Sequence, residues 1–329
     1  MTALPVIGHI GVLTSGGDAP GMNAAIRAVV RAAIAREVRV SGILGGYEGL
    51  VQDHIRPLGA RDVSNIIQRG GTMLRTARSE AFRTVQGREK AMRTIRRAGL
   101  DGLVVIGGDG TFTGAQALFR EHGVRIIGLP GTIDNDLSGT DHTIGFDTAI
   151  NTAVEAIDRI RDTASSHDRT FFVEVMGRSS GFIALDCAVA AGAEFVLVPE
   201  LQEDLAKLVS MLRQARQQGK SSSIVVVAEG EVAGGAFTVA DKVKAALPEL
   251  DVRVSVIGHL QRGGSPSVAD RLLAGRSGVA AVEALLNGDH DAMIGMSGQR
   301  MVLVPFAQAV GVKRELDLDL LRTLSILAT

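Results

Sequence analysis

The chain has 329 residues, 46% of them hydrophobic, and a formal net charge of -1 from 35 Lys and Arg against 36 Asp and Glu. That length predicts two domains or one large α/β unit, and the apolar content is enough for a sizeable core without staples. The balanced charge argues against a dominant duplex nucleic-acid footprint, and with no Trp, one Tyr and ten Phe there are few platforms on which single-stranded bases could stack.

No apolar run approaches the roughly 20 residues of a membrane span. The opening stretch MTALPVIGHIGVLT lacks the positive region of a secretory signal. The single cysteine, Cys187, excludes an intrachain disulfide and fits a reducing compartment; with no basic partner visible, it reads as a small buried hydrophobe. A cytoplasmic protein without membrane or nucleic-acid partners is expected. The cations are 29 Arg and 6 Lys, a ratio that suits bidentate phosphate binding and equally fits a base-composition bias of the genome.

In chain order, short apolar runs alternate with segments of helical period. Runs at Val6–Leu13, Val38–Ile43, Gly102–Ile106, Arg125–Leu129, Thr170–Val175, Phe195–Val198, Ile224–Val227 and Val252–Ile257 are mostly continuous and β-branched, as in strands buried on both faces. Ala24–Ala35, Arg88–Ala98, Ala115–Glu121, Thr148–Asp162, Asp204–Gln217 and Val268–Leu286 read as helices. Such alternation predicts right-handed βαβ units, hence a doubly wound parallel sheet with helices on both faces. No Ser/Gly linker, charge block or repeat marks a boundary; one near Gly145 is expected, where the glycine- and Asp-rich motifs stop and a long helix begins.

Ligands of open parallel sheets gather beyond the carboxyl ends of the strands, and the distinctive segments fall there. After the first strand, Thr14-Ser15-Gly16-Gly17-Asp18-Ala19-Pro20-Gly21-Met22-Asn23 brings backbone close to a ligand and opens a helix whose free N–H groups suit an anion, or else is a tight strand–helix turn. After the third, Gly107-Gly108-Asp109-Gly110-Thr111 repeats the arrangement with an Asp suited to magnesium, which prefers one or two carboxylates plus phosphate oxygens. Neither loop is a Walker A motif, and the spacing from Gly108 is G-x-G-x-x-x-G, which disfavours a nicotinamide-dependent oxidoreductase.

After the fourth strand, Leu129-Pro130-Gly131-Thr132-Ile133-Asp134-Asn135-Asp136 sets two carboxylates two residues apart. They can divide proton acceptance and positioning between them, or simply form an Asx-rich turn. Later, Met176-Gly177-Arg178, Glu229 and Gly258-His259-Leu260-Gln261-Arg262 close further strands. Arg178, Arg253, Arg262 and His259 are candidate partners of a sugar phosphate, as an alternative to solvated surface charges.

The segments TSGGDAPGMNAAIR, RGGT, GGDGT, PGTIDND, EVMGR and GHLQRGGSP stand in the order and spacing of bacterial-type 6-phosphofructokinases, which the chain resembles over nearly its whole length. The resemblance implies two Rossmann-like domains with the active site in the cleft between them, an ATP-binding one at residues 1-144 plus 260-310 and a sugar-phosphate-binding one at 145-259 plus 311-329. It implies transfer of the γ-phosphoryl group of ATP to the C1 hydroxyl of fructose 6-phosphate, with Asp134 as general base and Thr132, Asp136 and Arg178 beside it. The nucleotide would be held by Gly17, Arg78, Ser79, Gly108, Asp109, Gly110 and Thr111, with Mg2+ on Asp109. Fructose 6-phosphate would be held by Thr132, Ile133, Asp134, Met176, Gly177 and Arg178, together with Glu229, His259, Leu260, Gln261 and Arg262. Arg169 and Arg253 would reach in from a neighbouring subunit, as in a homotetramer with shared active sites.

In pyrophosphate-using relatives, the positions of Gly110 and Gly131 typically carry Asp and Lys. Glycine at both implies ATP as the donor. An effector site for ADP or phosphoenolpyruvate is implied at Arg27, Arg31, Arg161, Gly192, Ala193, Glu194 and Lys220. Ala60, Ser221 and Ser222 replace cations common in the pattern, so weaker or altered effector binding is expected, each lost cation costing about 1–3 kcal/mol. The alternatives are a pyrophosphate-dependent phosphofructokinase and a non-catalytic sugar-phosphate-binding regulatory subunit; the second would require a broken base or metal site, yet Asp109, Asp134 and Asp136 are present.

Overall fold

The computed structural model describes residues 7–201, 205–230, 232 and 234–328. Val6 and Asp204, the expected first residues of one strand and one helix, lie outside these. The chain runs β1 (His9–Thr14), α1 (Met22–Ile34), β2 (Arg39–Ile43), α2 (Gly46–Gln52), β3 (Ile55–Leu58), α3 (Val85–Ala98), β4 (Gly102–Gly107), α4 (Asp109–His122) and β5 (Ile126–Pro130). It continues through α5 (Phe146–Ser166), β6 (Arg169–Val175), α6 (Phe182–Ala190), β7 (Phe195–Leu197), α7 (Leu205–Gln217), β8 (Ser223–Ala228), α8 (Gly235–Ala246) and β9 (Asp251–Val256). It ends with α9 (Val268–Asn287), β10 (Ala292–Ser297), β11 (Arg300–Pro305), α10 (Phe306–Ala309) and α11 (Leu318–Leu327).

Two compact units result, residues 1–148 with 262–314 and residues 149–261 with 315–329. The first is built on a sheet of order β11-β10-β5-β4-β1-β2-β3. Its inner strands are parallel to one another, and the central three, β1, β4 and β5, are fully buried, as continuous apolar runs require. Both edges depart from the expected all-parallel sheet: β3 pairs antiparallel with β2, and β11 antiparallel with β10. These edge strands are short, or mix exposed and buried residues, and lack the continuous apolar signature.

From β1 the chain moves outward to β2 and β3, then crosses back to β4 on the other side. That reversal leaves the crevice beyond the ends of β1 and β4 as the natural ligand position. One helical layer buries Tyr47, Leu50, Ile95, Phe112 and Leu118 against the sheet, with Phe112 stacked on Phe306 at a ring separation of 5.2 Å. In the other, α1 and α9 meet so closely that a Cβ on Gly278 would lie 2.5 Å from Ala28 Cβ.

The second unit has a parallel sheet of order β7-β8-β6-β9, with α7 and α8 packed around Phe172, Leu212, Val225 and Val239. Here the direction of winding reverses beside β6. The run ending at Ile257 reads as a strand buried on both faces, but β9 is the edge of its sheet and remains partly exposed. Cys187 lies fully buried in α6, where burial pushes its thiol pKa up, as befits a small core residue. No helix among the described residues is long and apolar enough to cross a membrane.

Candidate active site

In the first unit, the loops after β1, β4 and β5 are stitched into one floor. Thr111 Oγ1 donates to Ser15 O at 3.1 Å, and a Cβ on Gly107 would come within 2.4 Å of that same carbonyl. Only glycine allows this approach, which is what the paired glycines of the sequence are for. Tyr47 O–H donates to Thr111 O at 2.6 Å and its ring stacks on Phe82 at 4.0 Å. Thr111 is thus buried and engaged within the protein, bracing the loop rather than presenting its hydroxyl.

Thr76 Oγ1 donates to Gly16 O at 2.7 Å and Thr14 Oγ1 to Arg75 O at 2.9 Å, so the segment before Arg78 holds the first glycine loop. Arg78 is exposed. Ser79 Oγ donates to the Glu48 carboxylate and accepts from Phe82 N at 3.1 Å, capping the 81–83 turn. The Arg262 guanidinium covers Gly17, where a Cβ would lie 2.5 Å from Nη1, and donates to Asp18 O at 3.1 Å. Arg262, expected with the sugar-phosphate group, belongs to the first unit and rests on its glycine loop.

The Asp134 loop joins this floor directly. Gly131 N donates to Gly107 O at 3.0 Å, and Gly108 faces Thr132, whose Cβ would be 3.4 Å from a Cβ on the glycine. Thr143 Oγ1 donates to Thr132 O at 2.7 Å, and Asp134 N donates to Thr132 Oγ1 at 3.3 Å. Asp134 is buried at 5% exposure, Ile133 is wholly buried, and Asp136 is half-buried. The base candidate is therefore held in a low-dielectric wall next to the phosphate-binding candidates, while Ile133 anchors the loop in the core.

Asp109 opens α4, exposed, with one carboxylate oxygen accepting from Gly311 N at 2.9 Å. A hard oxygen donor at the mouth of a glycine loop, completed by phosphate oxygens, fits magnesium.

Gly110 and Gly131 differ in kind. A Cβ on Gly110 meets nothing within 4 Å, whereas one on Gly131 would lie 2.8 Å from Ile106 Cγ2 and 3.3 Å from Met22 Cε. Gly131 is a packing glycine, and its lack of a side chain opens no room for a nucleotide. Of the two, only Gly110 leaves open space that a larger side chain would fill.

In the second unit, the ends of β6, β8 and β9 converge. Met176 N donates to Gln261 Oε1 at 2.8 Å, and Gln261, wholly buried, also donates to Ala149 O at 3.4 Å. Gln261 is a brace. Arg178 has φ 53 and is exposed. Its N–H donates to Glu229 Oε1 at 2.7 Å, and a Cβ on Gly230 would lie 1.8 Å from its carbonyl oxygen. His259 and Leu260 are exposed on the turn Gly258–Arg262. Gly230 was missed by sequence reasoning, since one glycine after a strand carries no signal of what it must pass.

Arg169 and Arg253 face one carboxylate, Asp251, at 2.9 and 3.0 Å. The hydrogen bond from Arg169 and the field of Arg253 hold that carboxyl below its usual range, against a smaller opposing effect of burial. Both arginines stand toward the start of their strands; at about 3.3 Å per residue, Arg169 is roughly 23 Å from Met176. Arg169 thus opens β6 at the end opposite Met176, while Arg253 pairs with Phe171 in the neighbouring strand.

Of the effector candidates, Arg161 donates to Ala191 O at 2.6 Å and Gly192 O at 2.8 Å, beside Ala193. Lys220 Nζ meets the buried Glu194 at 2.9 Å. Arg27 and Arg31 lie on α1 in the first unit.

Asp270, in the first turn of α9, is a further unanticipated residue. It accepts from Gly145 N at 2.7 Å, from Thr148 N at 2.8 Å and from the Thr148 hydroxyl. The sequence signal was there: Ser267-x-x-Asp270 before an apolar run is a capping pattern, and Ser267 Oγ accepts from Asp270 N at 3.2 Å.

Residues 9–285 match the family model described as Phosphofructokinase. A relative from Thermus thermophilus named ATP-dependent 6-phosphofructokinase 1 is 57% identical over 320 residues, covering 97% of this chain and 99% of its own. A relative from Bacteroides thetaiotaomicron named ATP-dependent 6-phosphofructokinase 2 is 53% identical, covering 96% and 98%. The solved phosphofructokinase of Saccharomyces cerevisiae superposes with a TM-score of 0.83 at 38% identity, over 91% of this chain and 45% of that one.

Proposed function

The chain belongs to the phosphofructokinase family and carries out ATP-dependent 6-phosphofructokinase chemistry, and from that premise we propose that Asp134 is the general base acting on the C1 hydroxyl of fructose 6-phosphate. The observation that carries this reading is the direct join of the Asp134 loop to the Gly107–Asp109 loop through Gly131 N and Gly107 O at 3.0 Å. That join sets a buried carboxylate beside backbone suited to a phosphate chain.

As the C1 oxygen bonds to the γ-phosphorus and the bond to the β-phosphate bridging oxygen breaks, the hydroxyl proton passes to an Asp134 oxygen. Phosphoryl transfer asks mainly for positioning and charge neutralisation. Asp109 would hold Mg2+, which when bound neutralises the charge of the phosphate chain. The amides at Gly17, Gly108 and Gly110 and the α4 N-terminus bind the triphosphate, with Gly110 leaving the backbone open to it. Arg178 stabilises the transferring group. Glu229 orients Arg178 through its N–H and, with His259 and Leu260, binds the sugar.

Arg169, at the end of β6 opposite Met176, and Arg253, which shares the Asp251 carboxylate with it, are read as binding the 6-phosphate in a neighbour's site, which accords with an oligomer with shared sites, read as a homotetramer. The cluster around Glu194 is the reading for ADP or phosphoenolpyruvate, and a cytoplasmic location accords with the single buried thiol.

The tight contact at Arg178 makes a specific demand on Gly230. Gly230→Ala must displace the Arg178 carbonyl, so the KM for fructose 6-phosphate is expected to rise about tenfold or more while that for ATP changes little. Steady-state kinetics on the purified variant check this, and an unchanged sugar-phosphate KM would remove Gly230 from the argument.

The whole reading is tested by turnover of fructose 6-phosphate in magnesium buffer with ATP and, separately, with pyrophosphate. ATP is expected to support turnover and pyrophosphate not; preference for pyrophosphate would overturn the donor assignment. The same assay titrated with ADP and phosphoenolpyruvate is expected to show a weak response, and a strong one at micromolar levels would show that the cations replaced at Ala60, Ser221 and Ser222 are not needed.

A further inference from the structure

We propose that Arg314 is a positioning residue for the reaction, clamping the loop that carries the base; this inference rests on the role given to Asp134 above. Immediately after Asp134, the backbone turns through Asn135 at φ 53. This is the left-handed region that residues other than glycine rarely occupy, although Asn tolerates it better than most. Asn135 is 3% exposed, its Nδ2 donates to Asp141 O at 3.3 Å, and its Oδ1 is buried without a hydrogen-bond partner. Backbone of this kind persists only where its surroundings over-determine it.

Arg314 supplies that constraint. Its Nη1 donates to Asp141 O at 2.9 Å and to Asn135 O at 3.3 Å, so one guanidinium nitrogen pins both ends of the 135–141 loop. The guanidinium is always charged and its donors are set in a rigid plane, so it fixes direction as well as distance.

Its neighbours extend the clamp. Lys313 forms an antiparallel bridge with Leu137, and Gly311 N donates to the Asp109 carboxylate at 2.9 Å. Residues 311–314 therefore touch both carboxylate-bearing loops, one from each side. The carbonyl held at Asn135 belongs to the peptide joining Asn135 to Asp136. If it is released, Asn135 can relax to an ordinary φ and turn the Asp134 carboxylate away. The residues read as binding the sugar lie mostly elsewhere, so the effect falls on turnover.

The experiment is steady-state kinetics on the full chain with Arg314→Met, which keeps a long stem and removes the donors, and Arg314→Lys, which keeps one cationic group. Arg314→Met is expected to lower kcat about 30- to 100-fold, as a displacement near 1 Å does, with both KM values within about threefold and Tm little changed. Arg314→Lys is expected to recover part of that kcat. Wild-type kcat in the Met variant, or a loss residing in KM, would overturn the proposal. Should the Met variant not fold, the Lys variant decides: a lower kcat at unchanged Tm supports the clamp, and wild-type kcat overturns it. Asp134→Ser measured alongside separates the two readings. If that variant retains turnover, the base assignment fails; if it is inactive while Arg314→Met turns over normally, the clamp alone fails.

Discussion

Asp134→Ser is expected to lower kcat by about two to four orders of magnitude, the range that a positioned general base contributes, while the KM for fructose 6-phosphate moves by less than about threefold. The split follows from the base role proposed for the carboxylate and from its setting. Its residue is 5% exposed, so bulk water is poorly placed to take the proton in its stead. The loop geometry around it depends on Thr132, Thr143 and the Gly131–Gly107 hydrogen bond, none of which needs the carboxylate. Serine fits the space and leaves the sugar's other partners intact, so ground-state binding survives and the loss appears in the chemical step. Coupled-assay kinetics under saturating ATP and Mg2+ check this, and a variant with full turnover strips Asp134 of the base role.

Asp270→Ala is the corresponding expectation for stability. Three buried donors, Gly145 N, Thr148 N and the Thr148 hydroxyl, converge on one carboxylate that is 1% exposed. Removing it leaves those donors unsatisfied and uncaps the start of α5. Partial rescue by water brings the expected loss to about 3 kcal/mol, or a fall in Tm of about 4 °C for a chain of this length. The damage reaches the first glycine loop as well, because Gly21 lies within 3.6 Å of Asp270 Cβ, measured from where its own Cβ would be, and Gly145 packs on Ala19 and Pro20.

The pH dependence has a definite sign. Burial raises the Asp270 pKa, and the hydrogen bonds from Thr148 and Gly145 offset it only in part. A carboxyl raised in the folded state favours folding most when protonated, and that contribution fades as pH rises through the folded-state pKa. The difference in Tm between wild type and Asp270→Ala therefore widens on going from neutral toward acid pH, the reverse of an ordinary ion-paired Asp. Thermal melts from pH 7 to 4.5 measure it; a gap that narrows toward acid contradicts the burial account.

What the sequence determined by itself was everything encoded over short stretches. Continuous β-branched runs such as Gly102–Ile106 form strands buried on both faces, and the helical periods between them fall where α1, α3, α5, α7 and α9 form. The glycine loops and the Asp134–Asp136 pair were legible as segments that follow strands, and they do follow β1, β4 and β5. Less patterned pieces escaped: β3, β10, β11, α8 and α11 are edge or partly exposed elements whose residues do not alternate or repeat cleanly.

Tertiary structure alone decided which side chains meet. It placed Arg262 on Gly17 some 245 residues away in the chain, Asp270 beneath the start of α5, and Arg314 across the Asn135–Asp141 loop. It also made Gly131 a packing position while leaving Gly110 open, and turned Thr111 and Gln261 inward as braces. The physical reason is one of range. Periodicity and turn chemistry act over a few residues, whereas these contacts exist only once the register of the sheets and the packing of α1 on α9 have brought distant segments within hydrogen-bonding reach.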